Sequence, residues 1–220
     1  AVGYVFLAII VALSAVAFSL TTILQATNDV TTYFTVLLFI LMVALPVLTM
    51  KLFSEERKMR TEQLLLTAPV SIAKIVTAKF FAAFTVFFGA NLLCSLAYIT
   101  LFIYSEPEGG IILGNIIAIT LVGAAFIAVG IFVSSLTENQ LAAAIGTFGI
   151  LLAMLGVGLL SSVIPWYPVR YVLGWFSILT RYSNFTNGFF DFAALFYYAS
   201  VCFIFLFLTC RVLERRRYSA

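Results

Sequence analysis

Histidine is absent from this chain, and charged residues are scarce. None of the 220 residues is His, and Asp, Glu, Lys and Arg together make up only 10% of the chain, against about 25% in typical soluble domains. Without His, the commonest proton shuttle and metal ligand is missing. Hydrophobic residues account for 64% and fall in long blocks. The composition therefore excludes an ordinary soluble domain and predicts a protein that crosses a membrane several times.

Cysteines are few, and a phosphate-binding loop is missing. Cys94, Cys202 and Cys210 lie within apolar blocks, at spacings typical of neither a metal site nor a disulfide, so we interpret them as packing residues. No stretch matches a P-loop, so we expect the chain itself not to hydrolyse ATP. We accordingly predict no catalytic residue, no metal, no cofactor bound by this chain and no nucleic-acid partner.

Six apolar blocks are long enough to cross a bilayer, which takes about 20 residues per helix. They cover residues 3–22, 31–50, 80–104, 111–133, 141–164 and 189–210. No block has an ionisable residue near its centre, where a charge costs about 2.5–3.5 kcal/mol and is usually kept only for function. The sequence thus predicts one all-α membrane domain over residues 1–220 with six transmembrane helices. It argues against a proton-coupled transporter, a charge-ring channel or a voltage sensor.

Positive charge is concentrated on one side of this arrangement. All but two of the 12 Lys and Arg residues fall in the loop 51–79 and the tail 211–220; the exceptions are Arg170 and Arg181. The positive-inside rule then predicts a cytoplasmic loop, a cytoplasmic tail and both termini in the cytoplasm. The chain begins with Ala1 rather than Met and lacks the basic region and cleavage site of a signal peptide. We therefore expect further residues before Ala1.

The segment 54–71, SEERKMRTEQLLLTAPVS, carries the densest charge. We predict a helix over residues 54–68, with Ser54 as its N-cap and Pro69 ending it, and Ser71 as the cap of the next helix. Acids and bases are mixed along this helix, which favours a protein partner over an anionic membrane surface. The alternative is a solvated amphipathic helix that only joins two spans.

Two further features lie in and beside the spans. Asn91 is the largest amide within a span, so we expect it to need a hydrogen-bond partner. Small residues in the fourth and fifth spans predict close helix packing, or alternatively a flexible gate helix. The outer segment 165–188 is rich in aromatic residues that favour the membrane interface. They include Trp166, Tyr167, Tyr171 and Trp175.

The charged loop contains a recognisable motif: a mixed charged run, Thr-x-Glu, a leucine pair, and Pro followed by Val and Ser. The residues are Glu55, Glu56, Arg57, Thr61, Glu62, Leu64, Leu65, Pro69, Val70 and Ser71. This motif resembles the signature of the ABC-2 family of ABC-transporter permeases, which commonly has Gly where this chain has Arg60. The opening residues 3–6 and the end of the chain, residues 185–217, are similar to the gliding-motility-type branch of that family.

The resemblance implies a permease subunit of an exporter in a bacterial cytoplasmic membrane. Such a subunit pairs with a second permease copy or paralogue and with two ATPase subunits, which hold ATP and Mg. The resemblance also implies that the loop is a coupling helix that docks on the ATPase, and that the outer aromatic segment forms re-entrant helices. The implied docking residues are Glu55, Glu56, Arg57, Lys58, Met59, Arg60, Thr61, Glu62, Leu65 and Leu66.

Two other function classes stay open. A non-transporting membrane anchor could pass ATPase work to an extracytoplasmic accessory protein, and the short outer loops are compatible with that role. A secondary transporter or channel is the other alternative. Inverted repeats, or broken helices with ionisable residues at mid-membrane, would support it, and the sequence shows neither.

Overall fold

The computed structural model is all-helical in the residues it describes, which are 2–24, 30–61, 70–104, 109–163, 177–178, 181–182 and 192–219. The helices are α1 (Val2–Phe18), α2 (Thr31–Thr49), α3 (Lys51–Lys58), α4 (Ile72–Ser95), α5 (Ala97–Tyr104), α6 (Gly109–Leu136), α7 (Gln140–Val163) and α8 (Phe192–Ser219). A short π-helical segment, Ser19–Ile23, extends α1. The predicted all-α class is confirmed.

Six helical stretches in the described part of the chain are long and apolar enough to cross a membrane, as predicted. They are Gly3–Ile23, Thr31–Lys58, Ile72–Thr100, Gly109–Leu136, Gln140–Gly158 and Phe192–Arg217. The third is part of the helix predicted to follow Ser71: Ser71 is the N-cap residue of α4, which begins at Ile72 and includes Lys74 and Lys79, but the Ser71 side chain makes no capping hydrogen bond. A lysine can extend its aliphatic stem along an apolar helix while its ammonium reaches a polar region.

Helix α6 is the centre of the bundle. It contacts α2, α3, α4, α7 and α8, and 67% of its most apolar stretch is buried, against 22% for α7 and for α8. Two glycines allow this close packing. A Cβ at Gly123 would lie 2.2 Å from the ring of Phe87, and one at Gly130 would lie 2.1 Å from Thr49 Oγ1. The small residues of α6 therefore let the backbones of α4 and α2 approach it closely.

An aromatic cluster fills the end of the bundle where α2 begins. Tyr33 is fully buried and makes edge-on ring contacts with Phe18 at 5.5 Å and with Tyr98 at 5.9 Å. Tyr182, from the segment between α7 and α8, donates a hydrogen bond to the Phe34 carbonyl at 3.0 Å. Burial raises the pKa of Tyr182, so its hydroxyl stays protonated and remains a donor.

The opposite end of the bundle holds most of the described positive charge. A cavity there is lined by Ala73 and Thr77 of α4 together with Arg211 and Glu214 of α8. The start of α4 therefore lies beside the end of α8. All described Lys and Arg residues except Arg181 belong to helix ends or turns on this side.

The charged segment begins differently from the prediction. Ser54 is not an N-cap, because α3 begins at Lys51 and follows α2 directly through Met50, whose backbone is itself helical (φ −55°, ψ −30°). Ser54 lies inside α3, and its hydroxyl donates to the Met50 carbonyl. The predicted separate surface helix is thus, in its described part, a continuation of α2.

The end of α3 also differs from the prediction. The helix ends at Lys58 rather than at residue 68, and Arg60 adopts a left-handed backbone with φ 57°. The Thr61 amide donates to the Glu56 carbonyl at 3.0 Å, and the Arg60 amide donates to the Arg57 carbonyl at 3.1 Å. These two bonds form a Schellman motif, which normally places glycine where Arg60 stands. Residues 62–69, including Pro69, lie outside the described residues.

Candidate functional site

Polar side chains gather where α3 meets α4 and the turn between α6 and α7. We call this group the polar junction; it consists of Ser54, Glu56, Arg57, Lys79, Ser134 and Glu138. It lies at the basic end of the bundle and connects the charged segment to α4 and to the α6–α7 pair, which are distant from it in sequence.

Ser134 of α6 binds the beginning of α3. Its hydroxyl oxygen accepts hydrogen bonds from the amides of Phe53 at 3.1 Å and Ser54 at 3.2 Å, and its proton goes to the Met50 carbonyl at 3.0 Å. With Met50 as the N-cap residue, the Phe53 amide is one of the first four amides of α3, which lack partners within the helix, and the Ser54 amide is the next one along. Ser134 therefore acts as an N-terminal cap supplied by another helix, and it links the backbone of α3 directly to α6.

Arg57 binds the turn between α6 and α7. Its guanidinium donates to the Leu136 carbonyl at 2.8 Å, and its Nε lies 2.9 Å from Glu138 Oε1. Arginine can hold a carboxylate and a carbonyl at once because its donors are arranged as a rigid fork. Arg57 thus holds α3 against the turn.

Lys79 attaches α4 to the same helix. Its ammonium forms an ion pair with Glu56, donates to the Leu52 carbonyl and lies 4.2 Å from the centre of the Phe53 ring. The lysine side chain is 17% exposed and that of Glu56 is 33% exposed. Partial burial reduces the solvent screening that weakens ion pairs on open surfaces. This contact therefore holds α4 against α3.

The end of α3 is open to solvent next to the polar junction. Lys58, Met59, Arg60 and Thr61 are exposed, and the apolar Met59 side chain is 66% exposed. A cavity of about 560 Å³ beside Lys58 is lined by Met50, Lys58, Glu138, Asn139, Gln140 and Leu141. An exposed methionine flanked by charges, next to a polar cavity, is a surface suited to a protein partner.

The predicted docking residues divide into three groups. Glu56 and Arg57 face the bundle and hold α3 in place, whereas Lys58–Thr61 form the exposed tip, and Glu55 is partly exposed beside them. Glu62, Leu65 and Leu66 lie outside the described residues. In this region the sequence predicts an amphipathic helix; in the described part the inward-facing side combines the buried Phe53 with polar groups that bind other helices.

Sequence reasoning missed the roles of Lys79, Ser134 and Glu138. A signal for Glu138 was present, because it is an isolated acid in a short link on the same side as the basic loop. Such an acid is a natural partner for one of those cations. Ser134 carries no such signal, since serines near helix ends usually bind their own backbone.

The two other predicted sites have different outcomes. Asn91 donates from Nδ2 to Thr120 Oγ1 at 2.9 Å, a bond between α4 and α6 that gives this 7%-exposed amide a partner. The outer aromatic residues Trp166, Tyr167, Tyr171 and Trp175 lie outside the described residues. Of that segment, the described Ser177, Ile178 and Tyr182 are buried in the bundle.

Comparison with known protein families finds no matching family model, and comparison with curated proteins finds no matching sequence. Within the described residues, no group of three or more His, Cys, Asp or Glu side chains is placed to hold a metal ion. Function is therefore inferred from the arrangement of charges and helices at the polar junction.

Proposed function

We propose that this chain is the membrane subunit of an ABC-type exporter, and that the exposed end of α3 docks on a separate ATPase subunit. The chain contributes no catalytic residue to this assembly. ATP and Mg bind to the partner, and two ATPase subunits act on a pair of permease chains, as a homodimer or with a paralogue. The assembly lies in a bacterial cytoplasmic membrane, with both termini of this chain in the cytoplasm.

The observation that carries this proposal is how α3 is connected. An exposed, charged tip with Met59 at its centre is continuous with α2 through Met50. The same helix is bonded to α6 through Ser134 and to the α6–α7 turn through Arg57. A push on the tip would therefore reach α2 and the central helix α6 together, as expected for a rigid lever in a packed bundle.

The bonds of α3 also indicate which helices would move. By its position in the chain, a coupling helix between the second and third spans is connected to those two spans. In the structure, α4 is attached through Lys79, but the backbone of α3 is bonded to α6. We therefore propose that ATPase closure moves α2, α4 and α6 as one unit, and that the substrate path opens where this unit meets the partner permease.

The distribution of positive charge between the two ends of the bundle supports the proposed orientation in the membrane. The basic ends of α3, α4 and α8 lie together at one end of the bundle, and the positive-inside rule assigns such an end to the cytoplasm. An ATPase reaches its partner only from the cytoplasm, where ATP is available. The exposed tip of α3 lies at this same end.

Affinity purification of the tagged chain in mild detergent tests the proposal. The double variant Lys58→Glu with Met59→Glu changes the exposed tip without altering the polar junction. Lys74→Glu is the matched control, because it reverses an exposed charge at the same end of the bundle but on α4. We expect ATPase activity to co-purify with the unmodified chain and with Lys74→Glu, and to be lost with the double variant.

Two results would count against the proposal. Recovery of the unmodified chain without any ATP-hydrolysing subunit would reject an ABC-type assembly and favour a secondary transporter or channel. Equal ATPase recovery with the tip variant would move the docking surface away from α3.

A further inference from the structure

A groove of about 970 Å³ runs along one face of α8, which we call the α8 groove. Its walls are mainly apolar and include Phe196, Val201, Ile204 and Phe205, whereas Arg181 and Tyr197 stand near its head. Phe196 is 71% exposed and Ile204 is 52% exposed. The groove is therefore open to the surroundings of the bundle along its length.

The groove lies in one half of the membrane-spanning region. Arg181 is next in sequence to Tyr182, which is bonded to the start of α2, so the head of the groove lies at the end opposite the polar junction. From Ala193 to Phe205 the lining residues recur on one face of α8 over about 18 Å, at 1.5 Å per residue. Half of a bilayer's hydrocarbon core is about 15 Å. The groove thus matches the depth of a single leaflet.

The head of the groove is chemically different from its walls. Arg181 is the only Lys or Arg at this end of the bundle among the residues that the structure describes. Its guanidinium can bind a phosphate through two parallel hydrogen bonds, which a compact ammonium cannot do. The hydroxyl of Tyr197, which also lines the groove, can donate to an anion as well. A cation above an apolar channel of leaflet depth is complementary to an anionic amphiphile.

We propose that the α8 groove binds an anionic phospholipid of the surrounding bilayer, with its phosphate at Arg181 and one acyl chain along α8. The charge at the head selects for an anionic headgroup, and the apolar walls require an attached chain. This site is separate from the polar junction, and it does not depend on whether the tip of α3 docks an ATPase.

Native mass spectrometry of the purified full chain tests this site, with palmitoyl-oleoyl phosphatidylglycerol and palmitoyl-oleoyl phosphatidylcholine as probes. We expect the unmodified chain to bind phosphatidylglycerol more tightly. Arg181→Gln should reduce that preference roughly fivefold, the effect of one cation near a membrane surface, whereas Arg181→Lys should retain most of it. Arg211→Gln is the matched control, because it removes the same charge from the other end of α8.

A second pair of measurements tests the acyl-chain part of the site. Ser200→Trp places a bulky side chain in the groove and should weaken binding of both lipids, while Phe203→Trp, at an exposed position outside the groove lining, should not. Soluble glycerol phosphate should fail to displace the bound phosphatidylglycerol, since it lacks a chain. Circular dichroism and size-exclusion elution show whether each variant is folded. If Arg181→Gln does not fold, Ser200→Trp still tests whether lipid binds in the groove.

Three results would overturn the proposal. The first is equal affinity of the unmodified chain for the two lipids. The second is an equal loss of preference in Arg211→Gln, which would indicate an effect of net charge alone. The third is displacement of the lipid by glycerol phosphate, which would indicate a site for a soluble phosphate.

Discussion

Replacing Ser134 with alanine should loosen the start of α3 while the rest of the bundle stays folded. The Ser134 hydroxyl makes three hydrogen bonds to the backbone of the α2–α3 connection, and the residue is fully buried. Its loss leaves the Phe53 amide, one of the first four amides of α3, without a partner. A buried donor without a partner costs about 1–3 kcal/mol, so the substitution should destabilise this region by about 2 kcal/mol.

Hydrogen exchange at the Phe53 amide, with the neighbouring Ser54 amide, measures this loss directly. A local opening free energy lower by about 2 kcal/mol raises the exchange rate roughly thirtyfold. The matched control is Ser135→Ala: Ser135 is the next residue and is only 1% exposed, but its hydroxyl donates within α6 to the Phe132 carbonyl at 2.6 Å. Exchange at residues 53 and 54 should be nearly unchanged in this control. If both variants exchange alike, Ser134 is not the cap of α3, and the proposed rigid link between α3 and α6 is wrong.

Three further predictions concern packing, charge and backbone. Gly130→Ala should lower the free energy of unfolding by about 1–3 kcal/mol, because the added methyl overpacks against α2. Gly149→Ala, whose added Cβ meets nothing within 4 Å, should raise it by up to about 1 kcal/mol through helix propensity. Unfolding in mixed detergent micelles measures both values. Glu138→Lys should destabilise the turn, and adding Arg57→Glu to that variant should partly restore its stability. A double-mutant cycle should give a coupling energy of about 0.5 kcal/mol. Additive effects of the two substitutions would contradict the ion pair. Arg60→Gly should raise the thermal midpoint, because a left-handed non-glycine residue costs about 1–2 kcal/mol; a lowered midpoint would reject this assignment.

Arg60, at the tip of α3, is a difference from the family pattern that the structure helps to explain. The family that the loop resembles commonly has glycine at the position of Arg60, and this residue has a left-handed backbone in the structure. The Schellman motif around it closes the helix at Lys58. An arginine at this position keeps a positive charge on the exposed tip at the cost of backbone strain. Arg60→Gly therefore also tests, by ATPase recovery, whether that charge is needed for docking.

The boundaries of α3 could not be read from local signals. Ser54 has the composition of an N-cap and Pro69 that of a helix stop, and these signals predict a helix over 54–68. In the structure the helix continues from α2, because Ser134 and Lys79 satisfy polar groups at the connection. These partners lie 27 or more positions away in sequence, so no local pattern includes them.

The number of spans and the clustering of charge followed from the sequence alone. Both depend on composition over about 20 residues: an apolar stretch must satisfy its backbone as a helix in lipid, and charged residues are restricted to its ends. Asn91 likewise required a partner because a buried amide without one is costly. Each of these results rests on a local cost that is nearly independent of which helices become neighbours.

Only the tertiary structure decided which faces of the helices meet and which side chains bind α3. Helix α6 is the most apolar of the six candidate spans and also the most buried, but hydropathy does not show which residues bring the helices together. Their positions depend on close contacts such as that of Gly130 with Thr49, and on polar partners such as Ser134, Arg57 and Glu138. These interactions join residues about 80 positions apart, and they form only when the backbones of separate helices come together.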